Sequence, residues 1–90
     1  NIMRRFINEK KGKEWTIEIV DAADGTKEVR TRSGKIGEQG VLGTRGVPTA
    51  EAAEKKAAEL IAQQLKKGYV ETEAPAENGS ADESGEKQEN

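Results

Sequence analysis

The stretch EWTIEIVDAADGTKEVRTRS, residues 14–33, decides the fold because it holds two strand patterns joined by a turn. Trp15, Ile17 and Ile19 recur at every second position, the period of a strand with one buried face. The Asp24-Gly25 pair between the two patterns favours a tight chain reversal. The stretch therefore predicts an antiparallel hairpin whose first strand places Trp15 in the core.

Two weaker strand patterns flank this hairpin. Residues 2–8, IMRRFIN, precede it and predict a strand with Phe6 facing inward. Residues 41–47, VLGTRGV, follow it and predict an irregular strand, because Gly43 and Gly46 weaken a strand interior and suit an edge of the sheet. The complete pattern predicts a small antiparallel β-sheet of about four strands.

One long helix follows the strand patterns. Pro48 disfavours helix at the preceding residue, and the Thr49 hydroxyl is a suitable N-cap for a helix that begins at Ala50. Gly68 can adopt the left-handed conformation that ends the helix, after which Tyr69 and Val70 turn back toward the core. The apolar positions recur every three or four residues on one stripe: Ala50, Ala53, Ala57, Leu60, Ile61 and Leu65. The predicted fold class is α+β, with the helix packed across one face of the sheet.

Composition divides the chain into two parts. Residues 1–71 carry 14 Lys or Arg against 11 Asp or Glu, whereas residues 72–90 carry one Lys against six acidic residues. The second segment, rich in Glu, Ser, Gly and Asn, is typical of a disordered acidic tail. We predict one domain over residues 1–71 and a tail over residues 72–90, which solubilises the protein or competes with nucleic acid for its basic surface.

The composition also narrows the possible functions. The chain has no cysteine and no histidine, which removes disulfides, thiolate nucleophiles, imidazole bases and the usual zinc ligands. No apolar run approaches the length of a membrane span. These features predict a monomeric cytoplasmic protein that is not an enzyme and that uses no metal or cofactor.

A glycine-rich segment, residues 31–40 with the sequence TRSGKIGEQG, is the best candidate for a functional site. Its three glycines suit a turn, a bulge or an anion-contacting loop, and its spacing matches neither a P-loop nor a dinucleotide fingerprint. Ser33 with Lys35 as its base is a conceivable catalytic pair, but nothing predicts a buried pocket that would lower the lysine pKa. The surrounding cations are Arg30, Arg32, Lys35 and Arg45. They predict either phosphate contacts or an ordinary solvated basic surface.

Three segments resemble the WGR domain family. The run RSGKIG at residues 32–37 resembles the family hallmark, in which an aromatic residue, a glycine and a basic residue precede an aliphatic residue and a second glycine. GKEWTI at residues 12–17 and KKGYVE at residues 66–71 resemble the strand before the hallmark and the end of the family's long helix. The resemblance spans residues 3–71 and implies a sheet crossed by a helix, with a nucleic-acid-binding role.

The same resemblance implies more specific expectations. In eukaryotic poly(ADP-ribose) polymerases such a domain contacts DNA near a break and docks onto neighbouring domains, while bacterial relatives occur alone or within larger chains. This chain is more similar to a freestanding bacterial type. Ser33 replaces the family aromatic and removes a stacking contact of about 1 to 3 kcal/mol. Lys35 replaces the arginine, which keeps the charge but not the bidentate geometry.

The leading hypothesis from the sequence is a non-enzymatic module that binds DNA or another nucleic acid weakly through its phosphates. The candidate contact residues are Arg30, Arg32, Ser33, Gly34, Lys35, Gly37 and Arg45. Two alternatives stay open: a protein-interaction module that docks a partner domain through the same surface, and a domain whose ancestral site has decayed at Ser33.

Overall fold

A computed structural model describes residues 3–74 of the protein. The elements in chain order are β1 (Met3–Asn8), β2 (Lys13–Asp21), β3 (Lys27–Lys35), β4 (Val41–Val47), α1 (Ala50–Lys66) and β5 (Val70–Thr72). Within the described range the strands form one antiparallel sheet in the order β4-β3-β2-β1-β5. The predicted α+β class is confirmed.

The sheet has one strand more than the sequence pattern predicted. β5 pairs with β1 over three positions, with Val70 opposite Ile7 and Thr72 opposite Arg5. Tyr69 packs against the core as predicted, whereas Val70 is 65% exposed, so its predicted turn toward the core is wrong. Three residues are too few to show the two-residue period of a strand in the sequence. Residues 70–72 form a strand because they pair with β1, which is distant along the chain. The boundary predicted after Glu71 falls inside β5, and from residue 75 on the predicted disordered tail lies outside the described residues.

The β2–β3 hairpin forms as its alternation and its Asp-Gly turn predict. The register runs without interruption from Lys13 opposite Lys35 to Asp21 opposite Lys27. At the turn, an Asp24 carboxylate oxygen accepts from the Thr26 backbone N–H at 3.0 Å and from the Thr26 hydroxyl at 2.6 Å. Gly25 has a φ of 89°, a left-handed conformation that glycine adopts without a side-chain clash. Local chemistry therefore sets the hairpin.

The core lies between the sheet and α1. Phe6 and Trp15 face each other on β1 and β2, with ring centroids 5.6 Å apart, and Trp15 is buried as predicted. Ala53 and Ile61 of α1 are buried in the same cluster. The helix begins where the Thr49 hydroxyl accepts from the Ala52 N–H at 3.0 Å, a cap worth about 1 kcal/mol. No helix within residues 3–74 is both long enough and apolar enough to span a membrane.

The helix divides the sheet into two unlike faces. Residues opposite Trp15 and Ile17 in the register share the face that α1 covers, and they include Ser33 and Thr31. Their neighbours along each strand point the other way, to a face without a helix that we call the open face. Arg30 and Arg32 of β3 lie on the open face.

Candidate nucleic-acid interface

Three connections meet at one end of the sheet. The β1–β2 turn and the β3–β4 loop are neighbours there, because Lys13 lies opposite Lys35 in the register. The helix α1 starts after Val47, at the opposite end of the sheet. It runs back along the sheet, so that its C-terminus lies beside Asn8 and the β1–β2 turn. Six exposed lysines lie here, and we call them the lysine end: Lys10, Lys11, Lys13, Lys35, Lys66 and Lys67.

Asn8 fastens two of these connections together. Its side chain is almost fully buried, its Nδ2 donates to the Lys67 carbonyl oxygen at 3.2 Å, and its Oδ1 accepts from the Lys11 backbone N–H at 3.2 Å. The Ile36 N–H donates to the Gly12 carbonyl oxygen at 3.0 Å and joins the β3–β4 loop to the β1–β2 turn. Backbone and buried amide bonds therefore hold the lysine end in one place.

The lysine end is free of acidic partners within the described residues. Six cations elsewhere each lie within ion-pair distance of a carboxylate: Arg4, Arg5, Lys27, Arg30, Arg32 and Lys56. Over residues 3–74 no member of the lysine end forms such a pair, and the only other cations without one are Arg45 and Lys55. Within residues 3–74, cations without an ion pair are therefore concentrated at this end of the sheet.

A buried glutamate on β2, Glu14, holds the β3–β4 loop through a hydrogen bond. The Glu14 side chain is only 8% exposed, and its Oε1 accepts from the Gly37 N–H at 3.0 Å. Its Oε2 accepts from Arg5 Nε at 3.2 Å and lies 3.7 Å from Arg32 Nη2. The Gly37 N–H is the largest cause that lowers the pKa of Glu14 below its ordinary value, and the Arg5 guanidinium adds to it against the opposing effect of burial. Glu14 therefore remains ionised and ties the loop to β2.

Arg32 lies on the same face as Glu14 and also binds the loop. Its Nη1 donates to the carbonyl oxygens of Glu38 at 3.1 Å and Gln39 at 3.2 Å. The amides that begin the loop are also engaged: Gly37 donates to Glu14, and Glu38 donates to the Lys35 carbonyl oxygen at 3.0 Å. In this conformation Arg32 and the Gly37 amide shape the loop, and they leave Lys35 as its exposed cation.

Close backbone packing explains two of the three glycines. A Cβ placed on Gly40 would lie 2.0 Å from the Ser33 carbonyl oxygen, and one on Gly34 would lie 2.8 Å from the Gly40 Cα. Gly40 also has a φ of 73°, in the left-handed region. Among the three possibilities that the sequence left open, the segment is a tight turn at which two backbone stretches pack against each other.

The predicted site residues divide between the two faces. Ser33 lies on the helix-covered face, between Trp15 and Val41 in the register, and Lys35 ends the strand on that face. Arg45 shares this face but lies opposite Val29, about 13 Å along β4 from Val41. Arg30 points to the open face and pairs with Glu28 at 2.9 Å. Ser33 and Lys35 thus share the helix-covered face with the more distant Arg45, whereas Arg30 and Arg32 lie on the open face.

The sequence did not indicate the part that Glu14 and Asn8 play. The partners of Glu14 are 9 and 23 residues away along the chain, and the Asn8 partner Lys67 is 59 residues away. The only signal was the position of Glu14 beside Trp15, at the start of the clearest strand. No cluster of three or more acidic side chains that could hold a metal ion is present in residues 3–74.

Comparison with known proteins agrees with the fold described above. A crystal structure of a protein from Bacteroides fragilis resembles the chain with a TM-score of 0.67 and 35% sequence identity, over 80% of this chain. The chain spans only 20% of the length of that protein. A search among curated proteins found no match. The model of the WGR domain matches residues 1–76, which is most of the chain, and the protein therefore belongs to the WGR domain family.

Proposed function

We propose that this WGR domain is a non-enzymatic module that binds the phosphates of nucleic acid through the lysine end. The observation that carries the proposal is the concentration, within residues 3–74, of six exposed lysines without acidic partners at one end of the sheet. Such a surface attracts a polyanion and releases its counterions on binding, which supplies most of the affinity of sequence-independent complexes.

The pair formed by Lys13 and Lys35 favours an anionic ligand in particular. Their positions are directly opposite each other on adjacent strands, where Cβ atoms lie about 5 Å apart. Like charges at this distance repel and destabilise the sheet. A phosphate between the two ammonium groups would relieve the repulsion, so binding is linked to stability at this position.

The contacts within the loop refine the residue roles that the sequence suggested. Lys35 is the central phosphate contact, with Arg45 adding positive charge from the same face. Arg32, Gly34 and Gly37 act by shaping the loop that presents Lys35, because their own groups are engaged within it. Arg30 contributes charge only at a distance, since it pairs with Glu28 on the open face.

Because Ser33 stands in place of an aromatic residue, we expect the proposed binding to be weak and insensitive to base sequence. A serine at this position offers no ring on which a base or sugar could stack, which gives up about 1 to 3 kcal/mol. Phosphate contacts through lysine carry no base information, because a flexible point charge recognises every nucleotide alike. We expect dissociation constants of about 10⁻⁴ to 10⁻⁶ M at physiological salt.

The test is a titration of fluorescein-labelled, 5′-phosphorylated duplex DNA, followed by fluorescence anisotropy at several salt concentrations. The double variant Lys13→Ala with Lys35→Ala should weaken binding and reduce the slope of log K against log salt by about 2. The matched control Lys55→Ala with Lys56→Ala removes the same charge from α1, away from the lysine end, and should leave the slope unchanged. Equal losses in the two double variants would reject the assigned site.

Backbone amide shifts place the contact independently. In the ¹⁵N-labelled protein, DNA should move the amide signals of residues 10–13 and 35–40, and the shifts should shrink as salt is raised. Signals of the β2–β3 turn, residues 22–26, serve as the internal reference. If DNA leaves residues 10–13 and 35–40 unmoved even at low salt, the proposed function fails.

A further inference from the structure

Exposed aliphatic side chains lie beside the lysine end, and phosphate binding gives them no role. Val41 is 74% exposed, Leu42 is 62% exposed and Ile36 is 43% exposed. All three belong to the β3–β4 loop or to the start of β4, next to Lys35. A phosphate backbone offers no apolar surface to these side chains, whereas burial of each by a protein partner would be favourable. They therefore point to a second kind of ligand.

β4 is also an open edge of the sheet. It is the first strand in the order β4-β3-β2-β1-β5 and pairs only with β3 over residues 3–74. Its residues from Val41 to Gly46 are all exposed. Edge strands normally carry a proline, a bulge, several charges or a cover that prevents pairing with another chain. β4 has seven uninterrupted register pairs, no proline and a single charged residue, Arg45.

The opposite edge is different. β5 has three residues and includes Glu71, whose carboxylate is held by Arg4 in a two-fold hydrogen-bonded ion pair at 2.8 Å. Shortness and charge are the usual protections of an edge strand. Only β4 therefore combines length, exposed backbone and exposed aliphatic side chains.

We propose that the β4 edge binds an extended segment of a partner protein, and that acidic and aliphatic side chains alternate along this segment. The segment adds a strand beside β4, so that main-chain hydrogen bonds supply affinity and alternate side chains supply specificity. On the open face, aliphatic side chains of the partner cover Leu42, which lies opposite Arg32 in the register. Acidic side chains lie near Lys35 and Arg45, the two cations that flank this edge without a carboxylate partner among the described residues.

Charge and composition disfavour the other possible occupants. A second copy paired through β4 would bring the Lys35 and Arg45 of both copies close together, which is repulsive. The acidic segment at residues 75–90 contains no valine, leucine, isoleucine or aromatic residue that could cover Leu42. An anionic lipid surface would leave the outward backbone groups of β4 without partners in an apolar layer, at a cost of several kcal/mol for each group.

The experiment uses a short synthetic peptide of alternating glutamate and valine residues, titrated into the ¹⁵N-labelled protein. Its matched control is the same peptide with alternate backbone amides methylated, which keeps the charge and the side chains but removes half of the donors. We expect the unmodified peptide to shift residues 41–47 and to slow their amide exchange. The methylated peptide should bind about tenfold more weakly or worse.

Variants on the two edges supply a second control. Leu42→Glu places an acidic side chain on the proposed docking strand and should weaken binding of the peptide about tenfold. Val70→Glu places an acidic side chain on β5 and should leave the affinity for the peptide unchanged. Both side chains are exposed, so both variants should fold, as circular dichroism will check. If one does not fold, the comparison of the two peptides still decides the question.

Several outcomes overturn the proposal. Equal binding of the two peptides, or shifts confined to residues 10–13, would mean that charge alone attracts the peptide. Absence of binding, or binding of phosphatidylglycerol vesicles without binding of the peptide, would also reject it. A concentration-dependent dimer that Leu42→Glu abolishes would assign the edge to a second copy. The result can be distinguished from DNA binding, because Leu42→Glu retains all six residues of the lysine end.

Discussion

Replacement of Glu14 by glutamine tests whether the carboxylate beneath the β3–β4 loop organises the candidate interface. The charged oxygens accept from the Gly37 N–H at 3.0 Å and from Arg5 Nε at 3.2 Å, within a side chain that is only 8% exposed. Glutamine keeps the shape and one acceptor. It loses the charge, and its amide group would direct a donor at Arg5 or at Gly37.

The expected cost follows from these contacts. Hydrogen bonds to charged groups contribute about 1.5 to 3 kcal/mol each, and a buried donor that loses its acceptor costs about 1 to 3 kcal/mol. The Arg5 side chain is 26% exposed, so water can replace part of the lost interaction. We expect Glu14→Gln to lower the free energy of unfolding by about 2 kcal/mol. For a domain of this size, that corresponds to a fall in Tm of roughly 10 °C.

Two assays check the prediction. Thermal unfolding followed by circular dichroism gives the Tm, and the ¹⁵N–¹H spectrum reports the Gly37 amide directly. Glu18→Gln is the matched control, because Glu18 lies on the same face of β2 and forms no ion pair within the described residues. If the two variants lower the Tm equally, or if the Gly37 signal is unchanged in Glu14→Gln, the supporting role of Glu14 is refuted.

Three further predictions concern the same loop. The pKa of Glu14 is lowered in the folded state, so the contribution of its carboxylate to the free energy of unfolding is present at neutral pH and is lost as the pH falls through that lowered value. The difference in stability between the wild type and Glu14→Gln should therefore shrink in acid. Urea unfolding at several pH values measures this difference. Gly40→Ala should cost more than about 3 kcal/mol, since it adds a backbone clash to a left-handed φ, while Gly25→Ala, which has a left-handed φ but open space, should cost about 1 to 2 kcal/mol in the same urea assay. Ser33→Trp should tighten binding to single-stranded DNA by about tenfold or more by restoring an aromatic platform; unchanged anisotropy titrations would show that the position does not face the ligand.

The local elements could be predicted from the sequence because their causes are local. The alternation of Trp15, Ile17 and Ile19 corresponds to the two-residue period of a strand, and the Asp24-Gly25 pair corresponds to the turn that joins β2 to β3. The Thr49 cap and the three- or four-residue spacing of apolar positions predicted the helix at its observed start. Each signal depends on neighbours within one or two turns of the chain.

The candidate site could be predicted only in part. Lys35 and the glycines are candidates from the sequence because they lie next to each other along the chain and match the hallmark of the family. The roles of Arg32 and Gly37 were expected to be phosphate contacts, whereas their hydrogen bonds place them in the support of the loop. For Gly37 that difference depends on Glu14, which lies 23 residues away and which no local pattern connects to the loop.

The sequence by itself determined the two-layer fold, since strand and helix periods follow from backbone geometry and from the pattern of apolar residues. Only the tertiary structure decided which cations of residues 3–74 have no carboxylate within ion-pair distance. The register of β2 with β3 places Lys13 opposite Lys35, and the return of α1 brings Lys66 and Lys67 to Asn8. Over residues 3–74 carboxylates pair with four of the arginines, whereas none lies within ion-pair distance of these lysines. Ion pairs between distant segments depend on three-dimensional distance, which the local pattern of a chain does not contain.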